Sequence, residues 1–142
     1  MLKPLILSLG ALLAAAAPAG AHGAVAIGGN PGDVAKNGIA IGISKDDDTK
    51  ELAEAGAVEQ CKAFHGRNPA QTSARCGVVA DFSHAWVAFA MDPKPQTPGF
   101  GWSIDVDKAT AERNAMNQCK ASSPDDRKQF CAISGKLEDT KP

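Results

Sequence analysis

The order of hydrophobic and polar residues in this chain predicts the same succession of elements twice. Short apolar runs in which small and large residues alternate are typical of strands that lie buried in a sheet. Two such runs precede a polar segment with Ala at helical spacing, and a further short run that begins with Cys follows it. We therefore predict two β-hairpin–helix–strand units, at about residues 23–82 and 85–137.

Sequence identity between the two predicted helices indicates an internal repeat. Residues 50–63 and 108–121 are identical at eight of fourteen aligned positions. The other matching segments occur in the same order in both halves, which is the mark of a duplicated unit. These further pairs are Val25–Ile27 with Val87–Phe89, Gly38–Ile43 with Gly99–Ile104, and Cys76–Val79 with Cys131–Ser134.

Both helices carry capping residues and one face of small side chains. The first is predicted to begin at Asp48 and the second near Asp107, because Asp favours the N-cap position and stabilises the helix dipole. Small apolar residues recur at helical spacing, so each helix can lie close on a sheet. These residues are Ala53, Ala57, Cys61 and Phe64 in the first helix, and Ala111, Ala115 and Cys119 in the second. The predicted fold class is α+β, with a mainly antiparallel sheet and both helices packed on it.

The N-terminal segment has the pattern of a signal peptide. Lys3 precedes the apolar run Leu5–Ala17, and Ala19–Ala21 supplies the small residues that signal peptidase accepts. The run is too short for a transmembrane helix. We expect residues 1–21 to be removed, residues 22–142 to form a single domain in the periplasm or outside the cell, and no membrane insertion after cleavage.

Four cysteines in an exported chain predict a disulfide framework. The repeat favours one bond within each half, joining the end of a helix to the start of the next strand. These bonds would be Cys61 to Cys76 and Cys119 to Cys131. Exchange of partners between the halves stays open at this stage.

Composition excludes some partners. The chain has 15 Lys and Arg residues against 16 Asp and Glu residues. This balance gives no long-range attraction for phosphate backbones or anionic lipid, so we expect neither nucleic acid nor a membrane as a partner.

The paired units resemble a known family. Exported bacterial proteins grouped as domain of unknown function 4189 have a Gly-Ala-Ile-Ala-like strand, a Trp-containing strand, an Ala-rich helix ending in Cys, and a Cys-led strand. The corresponding residues here are Gly23–Ile27, Gly101–Ser103, Ala109–Cys119 and Cys131. The resemblance covers most of residues 23–137, and this chain departs from it in having Ile41 where a Trp is usual and in lacking an extra Cys at Phe82–Ala85. It implies compartment and fold, and it brings no catalytic residue.

Candidate catalytic chemistry is sparse, and we predict a protein that is not an enzyme and has no cofactor. Disulfide-bonded cysteines cannot act as nucleophiles. Ser83, His84 and Asp81 would suit a small hydrolase, although residues so close in sequence rarely converge as a triad. The acidic run Asp46–Asp48 lacks the spacing of a calcium loop and is typical of a helix N-terminus.

A metal site is a further alternative. Cleavage after Ala21 would place the α-amino group and the imidazole of His22 on one residue, an arrangement that can bind copper together with a second imidazole. His65 or His84 would have to supply that second ligand. A frayed terminal residue is the simpler explanation of His22, and the sequence shows no closed set of copper ligands.

The second hairpin is the candidate binding surface. Its aromatic residues are interpreted mainly as core, whereas Pro93, Pro95 and Pro98 would stiffen a tip at Asp92–Gly99 and reduce the entropy lost on binding. The first turn, Gly29–Asn37, is rich in Gly and should matter less. The predicted binding residues are Asp92, Lys94, Pro95, Gln96 and Trp102. The expected partner is another envelope or secreted protein, such as a wall hydrolase, which this protein would engage or block.

Overall fold

A computed structural model describes residues 21–29, 33–64 and 70–137 of the chain. The signal-peptide prediction, apart from Ala21, lies outside these residues. So do the predicted turn residues Asn30–Gly32 and the candidate copper ligand His65.

Within the residues described, each half has three strands and one long helix. The strands are β1 His22–Gly28, β2 Ala40–Asp47, β3 Gly77–Phe82, β4 Trp86–Met91, β5 Phe100–Asp105 and β6 Ala132–Leu137. The helices are α1 Val34–Asn37, α2 Lys50–Ala63, α3 Ala70–Ser73 and α4 Lys108–Ser122, and a 3₁₀ turn covers Lys128–Phe130. Among these helices, none has the length and apolar character that crossing a membrane would require.

The strands form two antiparallel sheets with the same topology. The order is β2-β1-β3 in the first half and β5-β4-β6 in the second. In each sheet the first strand of the hairpin is central, and the Cys-led strand pairs with its other side. The predicted α+β class is confirmed, with the antiparallel strands divided into one sheet per half.

The main hydrophobic core lies between the two sheets. Side chains alternate between the faces of a strand, so every second residue of β1 and β4 points into this core. Its buried members are Val25, Ile27, Val34, Ile39, Phe82, Ala85, Val87, Phe89 and Phe100. Because both halves contribute large side chains to one cluster, the sheets pack face to face.

The outer face of each sheet packs under its own helix and carries small side chains. The buried clusters are Ala24, Ala26, Ala40, Ala53, Ala57 and Cys61 in the first half, and Ala88, Ala90, Ala111, Ala115, Cys119 and Cys131 in the second. The layers therefore run helix, sheet, sheet, helix. The predicted small-residue faces are confirmed except at Phe64, which follows the end of α2 and is exposed.

Two glycines allow the helices to approach the strands closely. A Cβ atom at Gly42 would lie 2.0 Å from the carbonyl oxygen of Ala57. At Gly101 it would lie 2.3 Å from the carbonyl oxygen of Ala115. Any side chain at these positions would therefore push the helix backbone away from its sheet.

The helix contacts of these two glycines show that the sequence alignment of β2 with β5 was wrong by two residues. Gly42 and Gly101 meet equivalent residues of their helices, so Gly42 corresponds to Gly101, whereas the sequence alignment matched it with Ser103. The β-bulges agree with this shift, since they occur at Val25/Ala26 and at Phe89/Ala90. A two-residue shift keeps each side chain on its own face, so the hydrophobic pattern alone could not detect the error.

Helix starts and disulfides match the predictions closely. The Asp107 side chain caps α4 by accepting a hydrogen bond of 2.8 Å from the Thr110 amide. The prediction that α2 begins at Asp48 is wrong by one residue, because Thr49 is the N-cap and accepts from the Leu52 amide. Both predicted disulfides are confirmed: Cys61 is bonded to Cys76 and Cys119 to Cys131. Each one ties the end of a long helix to the start of the next strand.

Candidate functional site

A buried ion pair fixes the base of the second hairpin tip. Asp92, the residue after β4, is only 6% exposed. Its carboxylate accepts hydrogen bonds from Arg127 Nε at 2.8 Å and from Arg127 Nη2 at 2.6 Å. These bonds hold the pKa of the Asp92 carboxyl below its ordinary value, even though burial opposes the shift. The tip is thereby fastened to the loop that leads from α4 to β6.

The tip itself is ordered by its own hydrogen bonds while its outermost residues face solvent. The Lys94 amide donates to Asp92 Oδ1 at 3.0 Å, and the Thr97 hydroxyl donates to the Lys94 carbonyl oxygen at 2.7 Å. Gln96 completes the turn in the left-handed region, at φ 65°. The side chains of Lys94, Pro95 and Gln96 are exposed. They form an accessible patch on a fixed backbone.

The structure separates the five predicted binding residues into three environments. Lys94, Pro95 and Gln96 lie together at the tip. Asp92 lies beneath them and is engaged with Arg127, so its carboxylate supports the loop. Trp102 is partly buried and packs against the core between the sheets.

Arg127 is the residue that sequence reasoning missed. It lies in the segment closed by the Cys119–Cys131 disulfide, and that bond brings the segment back towards the hairpin. A cation inside a short disulfide loop and an acid just after a strand were the available signals. Neither signal indicates that Arg127 and Asp92 are in contact.

Of the residues of the hydrolase alternative, Ser83 and His84 lie on the exposed turn between the halves, and Asp81 lies in β3. Ser83 Oγ and His84 Nδ1 are 2.8 Å apart, and His84 has a positive φ of 52°. The Asp81 carboxylate lies 2.6 Å from Lys50 Nζ, and Asp81 and Glu54 both raise the pKa of Lys50. The side chain expected to orient the imidazole thus joins β3 to α2 instead.

The metal alternatives involve scattered groups. Within the described residues, no group of three or more His, Cys, Asp or Glu side chains could hold a metal ion. His22 begins β1, where it pairs with Asp47 of β2. Of the acidic run, Asp47 accepts a hydrogen bond from Ser44, and Asp46 forms an ion pair of 3.6 Å with Lys45.

Comparison with known proteins places the chain in a family. No curated protein and no solved structure matches the chain. A family model described as "Domain of unknown function (DUF4189)" matches residues 22–136, which include every strand and long helix described above almost to the end of β6. With most of its length matched, including both disulfide-bonded halves, the chain belongs to the DUF4189 family.

Proposed function

We propose that this protein is an exported, non-enzymatic binding protein that acts in the periplasm or outside the cell. Its partner would be another protein of the envelope, which it engages or blocks in the manner of an inhibitor. The same order of elements in both halves further supports an origin by duplication of one unit.

Export is supported by the cysteine chemistry and by the N-terminal sequence. The described residues contain two disulfides and no free cysteine, as expected where an oxidising environment maintains such bonds. Residues 1–21 carry the charge, apolar run and small residues of a signal peptide.

The geometry of the hairpin tip is the observation that carries the binding proposal. Pro93, Pro95 and Pro98 restrict the backbone, and the Asp92–Arg127 pair fastens its base. A loop that is ordered before binding loses little conformational entropy when a partner covers it. Lys94 and Gln96 provide exposed polar groups that can select the partner.

The test is to replace the exposed tip without touching its support. In the variant Lys94→Gly/Pro95→Ser/Gln96→Gly, we expect disulfides and melting temperature to stay nearly unchanged, because a solvated tip contributes little to the core. Partners would first be captured from envelope extract with the wild-type protein, identified and purified. The affinity for the purified partner should fall at least about tenfold in the variant, the loss expected for one interface anchor.

A matched control comes from the first hairpin. Lys36 is exposed on α1, so Lys36→Ser removes one lysine from the corresponding side of the other half. This variant should keep wild-type affinity. Undiminished affinity of the folded tip variant would refute the proposal.

A further inference from the structure

An open groove runs along the outer side of the first half, between α2 and the edge strand β3. Its volume is about 620 Å³. The lining residues are Glu51, Glu54, Ala55, Val58, Glu59, Lys62 and Val78. Its floor is therefore apolar, and most of its rim is acidic.

The charge of the rim is uneven. Glu51 and Glu59 are exposed and have no ion-pair partner among the described residues, whereas Glu54 lies 3.5 Å from Lys50. Among the described residues of the lining, Lys62 is the single basic one. The groove thus presents net negative charge to a ligand, in a chain whose acidic and basic residues are nearly balanced.

The corresponding surface of the second half is built differently. The helix alignment places Arg113 where α2 has Ala55, and Met116 where α2 has Val58. Met116 packs against the cluster between α4 and its sheet as Val58 does in the first half, but with a longer side chain. Asn117 stands in place of Glu59, which removes one rim acid. Small side chains and acids therefore occur together in the first half, where the groove is open.

The strand beside the groove has a free edge. Among the described strands, β3 pairs only with β1 and is therefore the outer strand of its sheet. Val78 is 39% exposed and Val79 is 46% exposed. Apart from its chain neighbours, no described residue has an atom within 4 Å of the position that a Cβ at Gly77 would take. An exposed apolar edge of this kind is a template for a further strand unless charges, prolines or a bulge protect it. β3 has one bulge, at Val79, so regular pairing is open to either side of that residue.

We propose that the α2–β3 groove binds an extended, lysine- or arginine-rich segment of a partner protein. The segment adds as a strand to the free edge of β3, places a small apolar side chain over Val58 and Val78, and sets its cations beside Glu51 and Glu59. A second copy of this chain fits less well, because pairing β3 with β3 would bring two acidic rims together. The groove is separate from the hairpin tip. The experiments on the groove can therefore support or refute this proposal independently of the proposal for the tip.

The first experiment titrates the mature, oxidised protein with two synthetic peptides and follows backbone amide signals by NMR. The peptides are acetyl-Lys-Thr-Val-Thr-Lys-amide, whose two Lys side chains and Val side chain share one face of a strand, and its twin with Glu in place of each Lys. The basic peptide should shift the amides of residues 77–81 and of the outer face of α2, with an affinity that weakens as salt is added. The acidic peptide should bind at least tenfold more weakly.

Variants of the groove then test separately how its shape and its charge contribute to peptide binding. Ala55→Arg/Val58→Met gives the groove the residues of the second half and should abolish the shifts while the melting temperature stays within a few degrees. Glu59→Gln keeps the shape and should weaken basic-peptide binding by about threefold. Arg113→Ala is the matched control in the second half and should bind like wild type.

Three results would overturn the proposal. One is equal binding of the acidic and basic peptides, and another is the absence of shifts on β3 at 1 mM basic peptide. The third is a concentration-dependent dimer in sedimentation analysis whose interface includes β3, which would assign the edge to a second copy.

Discussion

The two halves fasten their hairpins to the helix-to-strand loop with bonds of different strength. Thr72 and Arg127 each lie four residues before the cysteine that precedes the third strand. In the first half the Thr72 hydroxyl donates a single bond of 2.6 Å to the Asn37 carbonyl oxygen. In the second half Arg127 makes a bidentate ion pair with buried Asp92. Equivalent loops thus hold the first hairpin by a neutral hydrogen bond and the second by a bidentate ion pair.

Packing explains why the corresponding positions of the first half hold no such ion pair. Gly28, the last residue of β1, stands where Asp92 follows β4 in the second half. A Cβ at Gly28 would lie 2.4 Å from the Thr72 carbonyl oxygen. There is no room for a carboxylate, so the loop approaches the strand directly. In the second half Asp92 takes the place of this glycine, and its ion pair with Arg127 supports the tip.

The largest expected effect comes from removing either disulfide. The bonds close segments with sequence separations of 15 and 12, so each should contribute about 3 kcal/mol in the chain-entropy description. Urea denaturation of Cys61→Ala/Cys76→Ala and of Cys119→Ala/Cys131→Ala should show similar losses. A difference of more than about 2 kcal/mol between the two variants would mean that the halves depend on their bonds unequally.

Close packing of helix on strand predicts the next effect. Gly42→Ala and Gly101→Ala should each lower the free energy of unfolding by about 2 kcal/mol, because the added Cβ meets helix backbone. Gly77→Ala is the control, since its Cβ would enter open space and should leave stability unchanged or slightly raised. Tolerance of alanine at Gly42 would contradict the close approach of α2.

The two hairpin fastenings should differ in strength when each is removed. Asp92→Asn leaves the Arg127 charge without its partner and should cost about 2 kcal/mol. Thr72→Val removes one neutral hydrogen bond and should cost about 1 kcal/mol. Chemical denaturation of both variants measures the two losses in free energy of unfolding. A larger loss for Thr72→Val would mean that the first hairpin is held more strongly than the second.

Acid should weaken the second fastening selectively. Arg127 lowers the pKa of Asp92 in the folded state, so the ion pair stabilises the fold above the ordinary carboxyl pKa of about 4. This contribution is lost as the pH falls through the lower, folded-state pKa. The stability difference between wild type and Asp92→Asn should therefore shrink between pH 5 and pH 2. A constant difference over that range would show that the carboxylate charge is not what stabilises the tip.

Sequence patterns predicted the strands, the two long helices and both disulfides, because those depend on local or repeated signals. The short helices α1 and α3 and the 3₁₀ turn were not predicted. Alternating small and large residues placed Val25 and Val87 in the core, and the small-residue spacing placed Ala57 and Ala115 under the sheets. The level of Gly42 along β2 was misplaced by two residues. Side-chain alternation fixes which face a residue occupies, whereas its level along the strand depends on contacts with the helix.

The candidate site was predicted less completely for the same reason. Exposure of Lys94, Pro95 and Gln96 follows from turn chemistry, which is local. The role of Asp92 depends on Arg127, 35 residues later in the chain, and no local pattern joins them. The open groove likewise depends on how the side chains of α2 meet β3, a contact that periodicity does not specify.

Rigidity of the hairpin tip is the central claim, and ¹⁵N relaxation of its backbone amides tests it most directly. In the wild-type protein the amides of Lys94, Gln96 and Thr97 should have order parameters of about 0.85, as in rigid backbone. In Asp92→Asn, where the ion pair with Arg127 is gone, they should fall below about 0.6. Values below about 0.6 in the wild type, or equal values in both proteins, would contradict a tip held in place by the Asp92–Arg127 pair.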